Sequence, residues 1–336
     1  MVIIENYNTV KDTAYFSLVR HIIGKIFDVV SITELSNFTN YSCCVYEYIN
    51  LLKMRPVHHI LLLFICVFGF SFGGTQGEDH WKQLFNGKDL EGWNTYLGPD
   101  LDDHGKPING IPIGLDKDPR QVFTIVQLEG EKVIRISGEN WGAITTKEEY
   151  ENYHLQLQFK WGALSWGQKK NKKKDSGLLY HSVGRYGADY GAWMRSQEFQ
   201  IEETNCGDYW GVAGGMAEIP AIKKSDTAYV YNPKGILTTF KEGSKQGRRC
   251  IKITDAENPS GEWNTLDLYC HGDTSLHVIN GKLMMILYKG KQMDNGVELP
   301  LTKGKLQIQS EGAEVFYRKI RIEPIAQLPA EFLNQP

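Results

Sequence analysis

The 336-residue sequence has no strong excess of charge of either sign. Its 37 lysine and arginine residues nearly balance 40 aspartate and glutamate residues, which leaves a net charge of −3 at pH 7. A slightly acidic chain does not offer the basic surface that binds nucleic acid, so we expect no nucleic-acid partner. The lysine-rich run at residues 169–174 has no interleaved aromatic side chains, and we interpret it as a solvated loop or a lid over a cleft.

Cysteine motifs are absent as well. No Cys-x-x-Cys pair occurs, so the sequence gives no support to a thiolate zinc site or a redox motif. Only Cys206, Cys250 and Cys270 follow the N-terminal region, and at most one internal disulfide can form among them. Cys250 and Cys270 lie in strand-like runs and are the favoured pair, with three reduced thiols as the alternative.

The sequence offers no apolar run that spans a bilayer comfortably. The run at residues 60–72 has thirteen residues, follows a basic segment and precedes two glycines, a pattern typical of a secretory signal. We expect a signal peptide at 54–77 and a single domain at 78–336, secreted or periplasmic and without a stable membrane span. Residues 1–53 then form a mis-called or disordered extension, with a real cytoplasmic or membrane-proximal segment as the alternative.

Strongly amphipathic helical segments and internal repeats are lacking, and short strand-like runs fill the chain from residue 81 onward. The run at 153–161 alternates most clearly and places five apolar side chains on one face: Tyr153, Leu155, Leu157, Phe159 and Trp161. Asn280-Gly281 between two apolar runs predicts a tight hairpin turn. Many short strands over about 255 residues predict an all-β fold, a single β-sandwich or jelly roll.

A regular row of polar residues marks one of the predicted strands. Glu198, Gln200 and Glu202 alternate with Phe199 and Ile201, so the polar and apolar side chains face opposite sides of the strand. Two carboxyl groups and an amide are costly to bury without a purpose, and we expect them on the floor of a cleft. Eight tryptophans and seventeen tyrosines suit a carbohydrate cleft, where flat rings stack on sugars.

A series of short blocks follows the same order as in a known family. The blocks are WKQLFNGKDLEGW at 81–93 and the segments 145–150, 175–181, 193–202, 207–211, 262–264, 277–281 and 309–314, the last with Arg318. Together they make the chain resemble the 3-keto-disaccharide hydrolase domain family over essentially all of residues 81–325. The resemblance implies a concanavalin A-like, laminarinase-type jelly roll with a concave substrate-binding sheet.

The resemblance also implies a carbohydrate-active enzyme that cleaves 3-keto-glycosides or 3-keto-disaccharides. A C3 ketone acidifies the C2 hydrogen, so a base could remove that proton, the aglycone could leave by elimination, and water could add afterwards. The substrate is then an oxidised sugar, supplied by a sugar 3-dehydrogenase. A noncatalytic carbohydrate-binding module is the alternative.

An ordinary laminarinase-type glucanase is a third hypothesis, and the central Gln200 disfavours it. Glucanases of this fold carry an aspartate at that position, whereas an amide cannot hold charge or share a proton. Retaining enzymes also need carboxyl groups about 5 to 5.5 Å apart, while residues four apart on a regular strand are separated by roughly 13 Å.

Strand pattern and resemblance together indicate three candidate catalytic residues. Glu198 is the first choice for a base or metal-binding carboxylate, with a polar strand at a cleft rim as the alternative. Glu202 shares its face and is a supporting residue. His181, at the end of the block 175–181, is a candidate acid, base or metal ligand, although a histidine at a strand end is more often structural.

Six further residues are candidates for substrate binding: Gln200, Arg195, Asp208, Trp210, Glu311 and His277. Gln200 could orient sugar hydroxyls, and Arg195 could contact an enolate or pair with a neighbouring acid. Trp210 could stack on a sugar or belong to the core. A divalent metal ion that polarises the C3 carbonyl is a further hypothesis, but no spacing identifies its ligands.

Overall fold

The computed structural model of the protein describes residues 80–333. Within that range nearly all regular structure is β, and the strands form two antiparallel sheets of eight and twelve strands. The predicted β-sandwich is confirmed. The proposed extension at 1–53 and the signal peptide at 54–77 lie outside the described residues, so the structure does not address them.

The eight-stranded sheet carries the candidate site. Its strands, in spatial order, are β14 (Arg249–Cys250), β10 (Tyr209–Val212), β9 (Arg195–Glu202), β8 (Asp175–Val183), β19 (Lys305–Ser310), β6 (Gly142–Thr146), β2 (Trp93–Leu101) and β3 (Pro107–Leu115). Sequential strands β8, β9 and β10 are neighbours in this sheet, which brings the blocks of residues 175–212 together on one surface.

The twelve-stranded sheet forms the other layer. Its main path is β12 (Tyr229–Tyr231), β11 (Gly215–Lys223), β17 (Lys282–Asp294), β16 (Thr274–Ile279), β15 (Asn264–His271), β7 (Tyr153–Ser165), β20 (Ala313–Pro324), β5 (Glu131–Ile136) and β4 (Phe123–Leu128). Three short strands attach to it: β1 (Lys82–Gln83), β13 (Ile236–Phe240) and β18 (Val297–Pro300). A 3-10 turn at Gly167–Lys169 and a short helix α1 (Ala330–Leu333) complete the described structure.

The main core lies between the sheets and is built by the alternation that the sequence predicts. The five apolar residues of the 153–161 run are all at most 2% exposed and belong to one hydrophobic cluster. Phe199 and Ile201 join that cluster from β9 and have no exposed surface. Their inward packing fixes the opposite side of β9 as an outer face of the sandwich.

Local predictions can be checked at a turn and at the cysteines. Asn280 and Gly281 have φ values of 48° and 76° and connect β16 to β17, as the predicted hairpin requires. All three cysteines of the described range are free and buried, so the favoured Cys250–Cys270 pair was wrong and the reduced alternative is correct. Cys250 lies in the eight-stranded sheet and Cys270 in the other.

Residues 80–333 contain no helix that is long and apolar enough to cross a membrane.

Candidate active site

The outer face of β9 carries the polar row. Glu198 and Gln200 are each only 6% exposed, although they point away from the core that holds Phe199 and Ile201. Loops and neighbouring strands therefore enclose this part of the face. Burial of a carboxyl group on an outer face is costly, and the neighbours of Glu198 determine what it can do.

Strand register defines those neighbours, because directly paired residues of antiparallel strands share a face. On β8, Leu179 pairs with Glu198, Gly177 with Gln200 and Asp175 with Glu202. On the other side, Trp210 of β10 pairs with Glu198. The register from Glu198 to Glu202 is regular against β8. Their Cα atoms are therefore separated by roughly 13 Å, as expected for a continuous strand.

Gly177 leaves the space into which Glu198 reaches. A Cβ atom on this glycine would stand 2.5 Å from Glu198 Oε1 and closer still to Gln309 Oε1. A glycine inside a strand often marks such a close approach. Gln309 lies on β19 and is 1% exposed, so its amide group lies beside the Glu198 carboxyl in an enclosed space.

Four carboxyl groups and a single lysine form a cluster at this end of the face. The cluster, here called the carboxyl cluster, consists of Asp175, Glu198, Glu202 and Glu311, with Lys169 inserted from the loop between β7 and β8. Lys169 Nζ pairs with Asp175 and lies 3.2 Å from Glu202 Oε1. An open depression of about 320 Å³ adjoins it, lined by Gln168, Lys169, Lys172, Lys173 and Glu202.

Burial and mutual repulsion raise the pKa values of several carboxyl groups in the carboxyl cluster. Burial raises the pKa of Glu198 well above its usual range, and the negative charges of Asp175 and Glu202 add to the shift. Burial likewise raises the pKa of Glu311, again with help from Asp175 and Glu198. The pKa of Asp175 is raised by burial to about 7, against the opposing effect of Lys169. One lysine cannot neutralise four carboxylates, so some carboxyls retain protons near neutral pH.

Several polar atoms on this face have no partner among residues 80–333. Asp175 Oδ1, Gln309 Oε1 and Trp210 Nε1 are buried without a hydrogen bond. The side chain of Glu198, flanked by Trp210 and Gly177, makes no hydrogen bond or ion pair with any described residue. Buried polar atoms are normally paired, so these unpaired atoms and the Glu198 carboxyl on one face are what a polar ligand would satisfy.

His181 lies on the core side of the eight-stranded sheet, away from Glu198. Its φ of 51° accompanies a register shift between Tyr180 and Val183, and this bulge turns His181 inward. Nδ1 bonds to the Leu301 carbonyl at 3.1 Å, and the ring packs edge-on against Tyr153. Burial lowers its pKa to about 4, which keeps the imidazole neutral.

His277 and Arg195 are also separated from the outer face. His277 is fully buried, stacks on Phe199 with a ring distance of 4.0 Å and bonds Tyr180 Oη at 3.1 Å through Nε2. Burial lowers its pKa to about 3. Arg195 donates to Asp294 at 2.8 Å and to Gln292 at 3.0 Å, so it pairs with β17 of the other sheet and not with Glu198.

Asp208 and Trp210 occupy the side of the face towards β10 and β14. Asp208 is fully buried and accepts hydrogen bonds from Arg249 at 2.6 and 2.9 Å and from the Lys252 amide at 2.9 Å. Both carboxylate oxygens of Asp208 are therefore paired within the protein, which gives Asp208 a structural role. Trp210 is partly buried, and Arg248 and Arg249 lie 5.5 and 5.3 Å from its ring.

The sequence interpretation missed Asp175, Gln309, Lys169 and Arg248. Asp175 and Gln309 stood inside the family blocks, and an alternation count from Gly177 places Asp175 on the face of Gln200. Lys169 was hidden in a lysine-rich run that suggests solvent exposure. No local pattern distinguishes Arg248 from its neighbour, because its position depends on the short pairing of β14 with β10.

The described residues do not offer a donor set for a metal ion. No group of three or more His, Cys, Asp or Glu side chains in residues 80–333 is arranged to hold one. Within the carboxyl cluster, Lys169 already provides the positive charge for Asp175 and Glu202. The divalent metal ion that the sequence raised as a hypothesis stays a hypothesis.

The β-sandwich has a carboxyl-rich outer face, and its family belongs to the carbohydrate-active class. The family model described as a 3-keto-alpha-glucoside-1,2-lyase-like domain matches residues 80–323, and the chain belongs to this family. The predicted membership is thereby confirmed. No curated protein matches the chain.

Solved structures of similar proteins include enzymes and binding modules. A candidate glycosyl hydrolase from Parabacteroides distasonis is 20% identical, with a TM-score of 0.42 over 74% of this chain and 94% of its own. The carbohydrate-binding module CBM66 from Bacillus subtilis is 8% identical, with a TM-score of 0.35 over 60% and 91%. A β-glucanase from Bacillus licheniformis is 8% identical, with a TM-score of 0.34 over 73% and 97%. Similarity at this level carries no information on activity.

Proposed function

We propose that the protein cleaves glycosidic bonds of sugars that carry a ketone at C3, with Glu198 as the base. The observation that carries this proposal is the Glu198 carboxyl itself, which is buried, unpaired among residues 80–333 and held between Gly177 and Trp210. A carboxylate whose pKa is raised by burial is a stronger base than an exposed one. That property suits removal of a proton from carbon.

The reaction begins when Glu198 takes the C2 proton and the C–H electrons form an enolate with the C3 carbonyl. The enolate then restores the C3 carbonyl, forms a C1–C2 double bond and breaks the bond from C1 to the aglycone oxygen. A proton completes the departing alcohol. Water adds at C1 of the enone, C2 regains a proton, and the products are a free 3-keto sugar and the aglycone.

Glu311 is our choice for the acid that protonates the aglycone oxygen. Burial and the charges of Asp175 and Glu198 raise the pKa of Glu311, so the group keeps its proton to higher pH than an ordinary glutamate does. Glu202 accepts hydrogen bonds from Asn205 at 2.5 Å and from Lys169 at 3.2 Å, and it serves as a supporting residue. Gln200 and Gln309 are then available to orient sugar hydroxyls.

Ordinary glucanase chemistry is less compatible with this arrangement. Glu198 and Glu202 lie at the ends of a regular stretch of strand, and Gln200 stands between them. A retaining mechanism needs a pair of carboxyls about 5 to 5.5 Å apart. Elimination beside a ketone has no such requirement, since a base and an acid act on neighbouring carbon atoms.

The test compares a 3-keto-disaccharide with its unoxidised parent and measures the release of free sugar. We expect release from the keto compound alone, and we expect Glu198→Gln to abolish it. Glu203→Gln is the matched control, because Glu203 is bonded to the Lys174 amide and to Ser260 away from the row. Turnover of the parent by the wild-type protein would indicate a glucanase, and binding without turnover would indicate a carbohydrate-binding module.

We further propose that the domain acts outside the cytoplasm on sugars oxidised by a 3-dehydrogenase. The basic start, apolar middle and small-residue exit of segment 54–77 support export. Sequencing the N-terminus of the mature protein tests this, since a terminus upstream of Met54 would contradict it.

A further inference from the structure

The outer face is chemically divided on the two sides of β9. Towards β8 lie the acidic residues of the carboxyl cluster together with Lys169. Towards β10 and β14 lie the donors Trp210, Arg248 and Arg249, with Asp189 and Asp208 as the acids that pair with the two arginines. Glu198 stands between the two sides, and this asymmetry can orient an asymmetric substrate.

Trp210 presents the first unused donor. It pairs directly with Glu198 in the register of β9 and β10, so the two side chains are neighbours on the same face. Its Nε1–H is buried and has no acceptor in the described part of the chain. A buried indole N–H normally has a partner, which indicates that an oxygen atom of a ligand completes this group.

Arg248 presents further donors beside Trp210. Its Nη1 donates to Asp189 Oδ2 at 2.9 Å and to the Gly211 carbonyl at 3.4 Å, which holds the guanidinium in place. Guanidinium carries five N–H groups. Those on Nε and Nη2 have no partner among residues 80–333. Arg249 differs, because Asp208 occupies its Nε and Nη2.

The positive charge of Arg248 acts electrostatically on the carboxyl group of Glu198. Its guanidinium acts against the burial of Glu198 and lowers the pKa of that carboxyl from what burial alone would give. The charged groups around Glu198 are Arg248 with its ion-pair partner Asp189 on the β10 side, and Asp175, Glu202, Glu311 and Lys169 on the β8 side. A negative charge that develops next to Glu198 on the β10 side lies near the Arg248 guanidinium, whereas on the β8 side it lies near three further carboxyl groups and Lys169.

We propose, on the basis of the function proposed above, that Arg248 and Trp210 Nε1 bind the C3 oxygen of the substrate and stabilise the enolate. The sugar then lies with C3 towards β10, C2 at Glu198 and C1 towards Glu311. The order of the three carbon atoms matches the order of donor, base and acid across the sheet. As Glu198 takes the C2 proton, the C3 carbonyl electrons move onto the oxygen that faces Arg248.

This orientation restricts the substrate to sugars with a carbonyl oxygen at C3. A C3 hydroxyl cannot accept the electron pair from C2, so its C2 hydrogen is not acidic. The donors at Arg248 would then bind the sugar without promoting proton removal. The C3 carbonyl of the substrate therefore provides the discrimination, and the β10 side stabilises the enolate that only this carbonyl can form.

The test uses Arg248→Gln and Trp210→Phe, with Arg318→Gln as the matched control. Arg318 also stacks on a tryptophan, 3.9 Å from the Trp263 ring, but lies on the twelve-stranded sheet. We expect Arg248→Gln to lower kcat on a p-nitrophenyl 3-keto-glucoside by about 10² to 10³, the usual effect of losing an oxyanion donor. Trp210→Phe keeps an aromatic ring but removes the Nε1–H donor, and it should lower kcat by about tenfold.

Deuterium exchange at C2 and the pH profile of kcat/KM distinguish a variant that stabilises the enolate less well from a variant that is merely less well folded. Arg248→Gln should slow exchange of the C2 hydrogen with D2O and move the acidic limb of kcat/KM to higher pH, while Arg318→Gln changes neither. If Arg248→Gln does not fold, the exchange rate of Trp210→Phe decides in the same way. Unchanged exchange in these variants would overturn the inference but leave the proposed function intact, whereas a wild-type protein inactive on the keto substrate would overturn both.

Discussion

Glu198 Oε1 lies 2.5 Å from the point where a Cβ atom on Gly177 would stand. Gln309 Oε1 approaches the same point from β19. The absence of a side chain at Gly177 is therefore what admits both groups to the space above β8. The position of the proposed base, Glu198, therefore depends on the presence of glycine at residue 177 of the neighbouring strand.

Gly177→Ala is expected to displace Glu198 and lower kcat on a 3-keto-disaccharide. A methyl group would force the carboxyl and the amide apart, and a displacement of about 1 Å can cost about 10²-fold in rate. Gly110→Ala is the control, because a Cβ there meets nothing within 4 Å. Equal activity of the two variants would show that the approach to Gly177 is unimportant.

The pH dependence of kcat/KM should report Glu198. Burial raises the pKa of Glu198, so the protonated and inactive form persists to higher pH than it does for an ordinary glutamate. With a p-nitrophenyl aglycone, which needs no acid, we expect the rate to rise with pH through a midpoint well above the usual value near 4.3. A rate that is constant from pH 4 upward would contradict a base with a raised pKa.

Glu311→Gln should affect substrates according to their leaving group. A sugar aglycone needs a proton as it departs, whereas p-nitrophenolate leaves unaided. We expect the variant to lose about 10² to 10⁴-fold in rate on a 3-keto-disaccharide and to retain its rate on the p-nitrophenyl substrate. Equal losses on both substrates would assign Glu311 to binding or positioning instead of acid catalysis.

His181→Asn should reduce stability and leave kcat within about twofold. The variant loses the contact with Tyr153 and changes the hydrogen bond to Leu301, at a cost of about 1 to 3 kcal/mol. Asparagine tolerates the positive φ at this position. Urea unfolding and kinetics measured on the same samples provide the comparison, and a large loss of kcat at full stability would return His181 to the catalytic site.

The sign of the pH effect on stability follows from the same histidine. Burial lowers the pKa of His181 to about 4, so its neutral form is favoured in the folded state. Its contribution is present above the unfolded value near 6.5 and is lost as pH falls through about 4. His181→Asn should therefore flatten part of the acid limb of the wild-type stability curve.

The alternation of apolar and polar residues along the strands was sufficient to predict the β-sandwich and the polar row Glu198, Gln200 and Glu202. The alternation at 153–161 and the Asn280-Gly281 turn are local features, and both appear in the structure as the sequence indicates. Glu198 and Gln200 share an outer face for the same reason. The alternation of side chains along a strand depends only on backbone geometry. It was therefore sufficient to predict that Glu198 and Gln200 lie together in the candidate site.

Contacts that depend on irregular backbone could not be predicted from the pattern. His181 follows the alternation of β8 on paper, but the bulge after Tyr180 turns it into the core. Lys169 reaches Asp175 from a loop whose course no periodicity fixes. Arg195 forms its ion pair with Asp294 on the other sheet. The sequence does not show which strands of the two sheets are adjacent, so this contact could not be predicted.

The most direct test of the central claim is to run the reaction in D2O and to analyse C2 of the released 3-keto sugar. Proton removal by Glu198 predicts deuterium at C2 of the product, faster than in a heat-inactivated control, and predicts its loss in Glu198→Gln together with cleavage. Released sugar that retains its original C2 hydrogen would show that the bond breaks by direct displacement, and it would contradict the account.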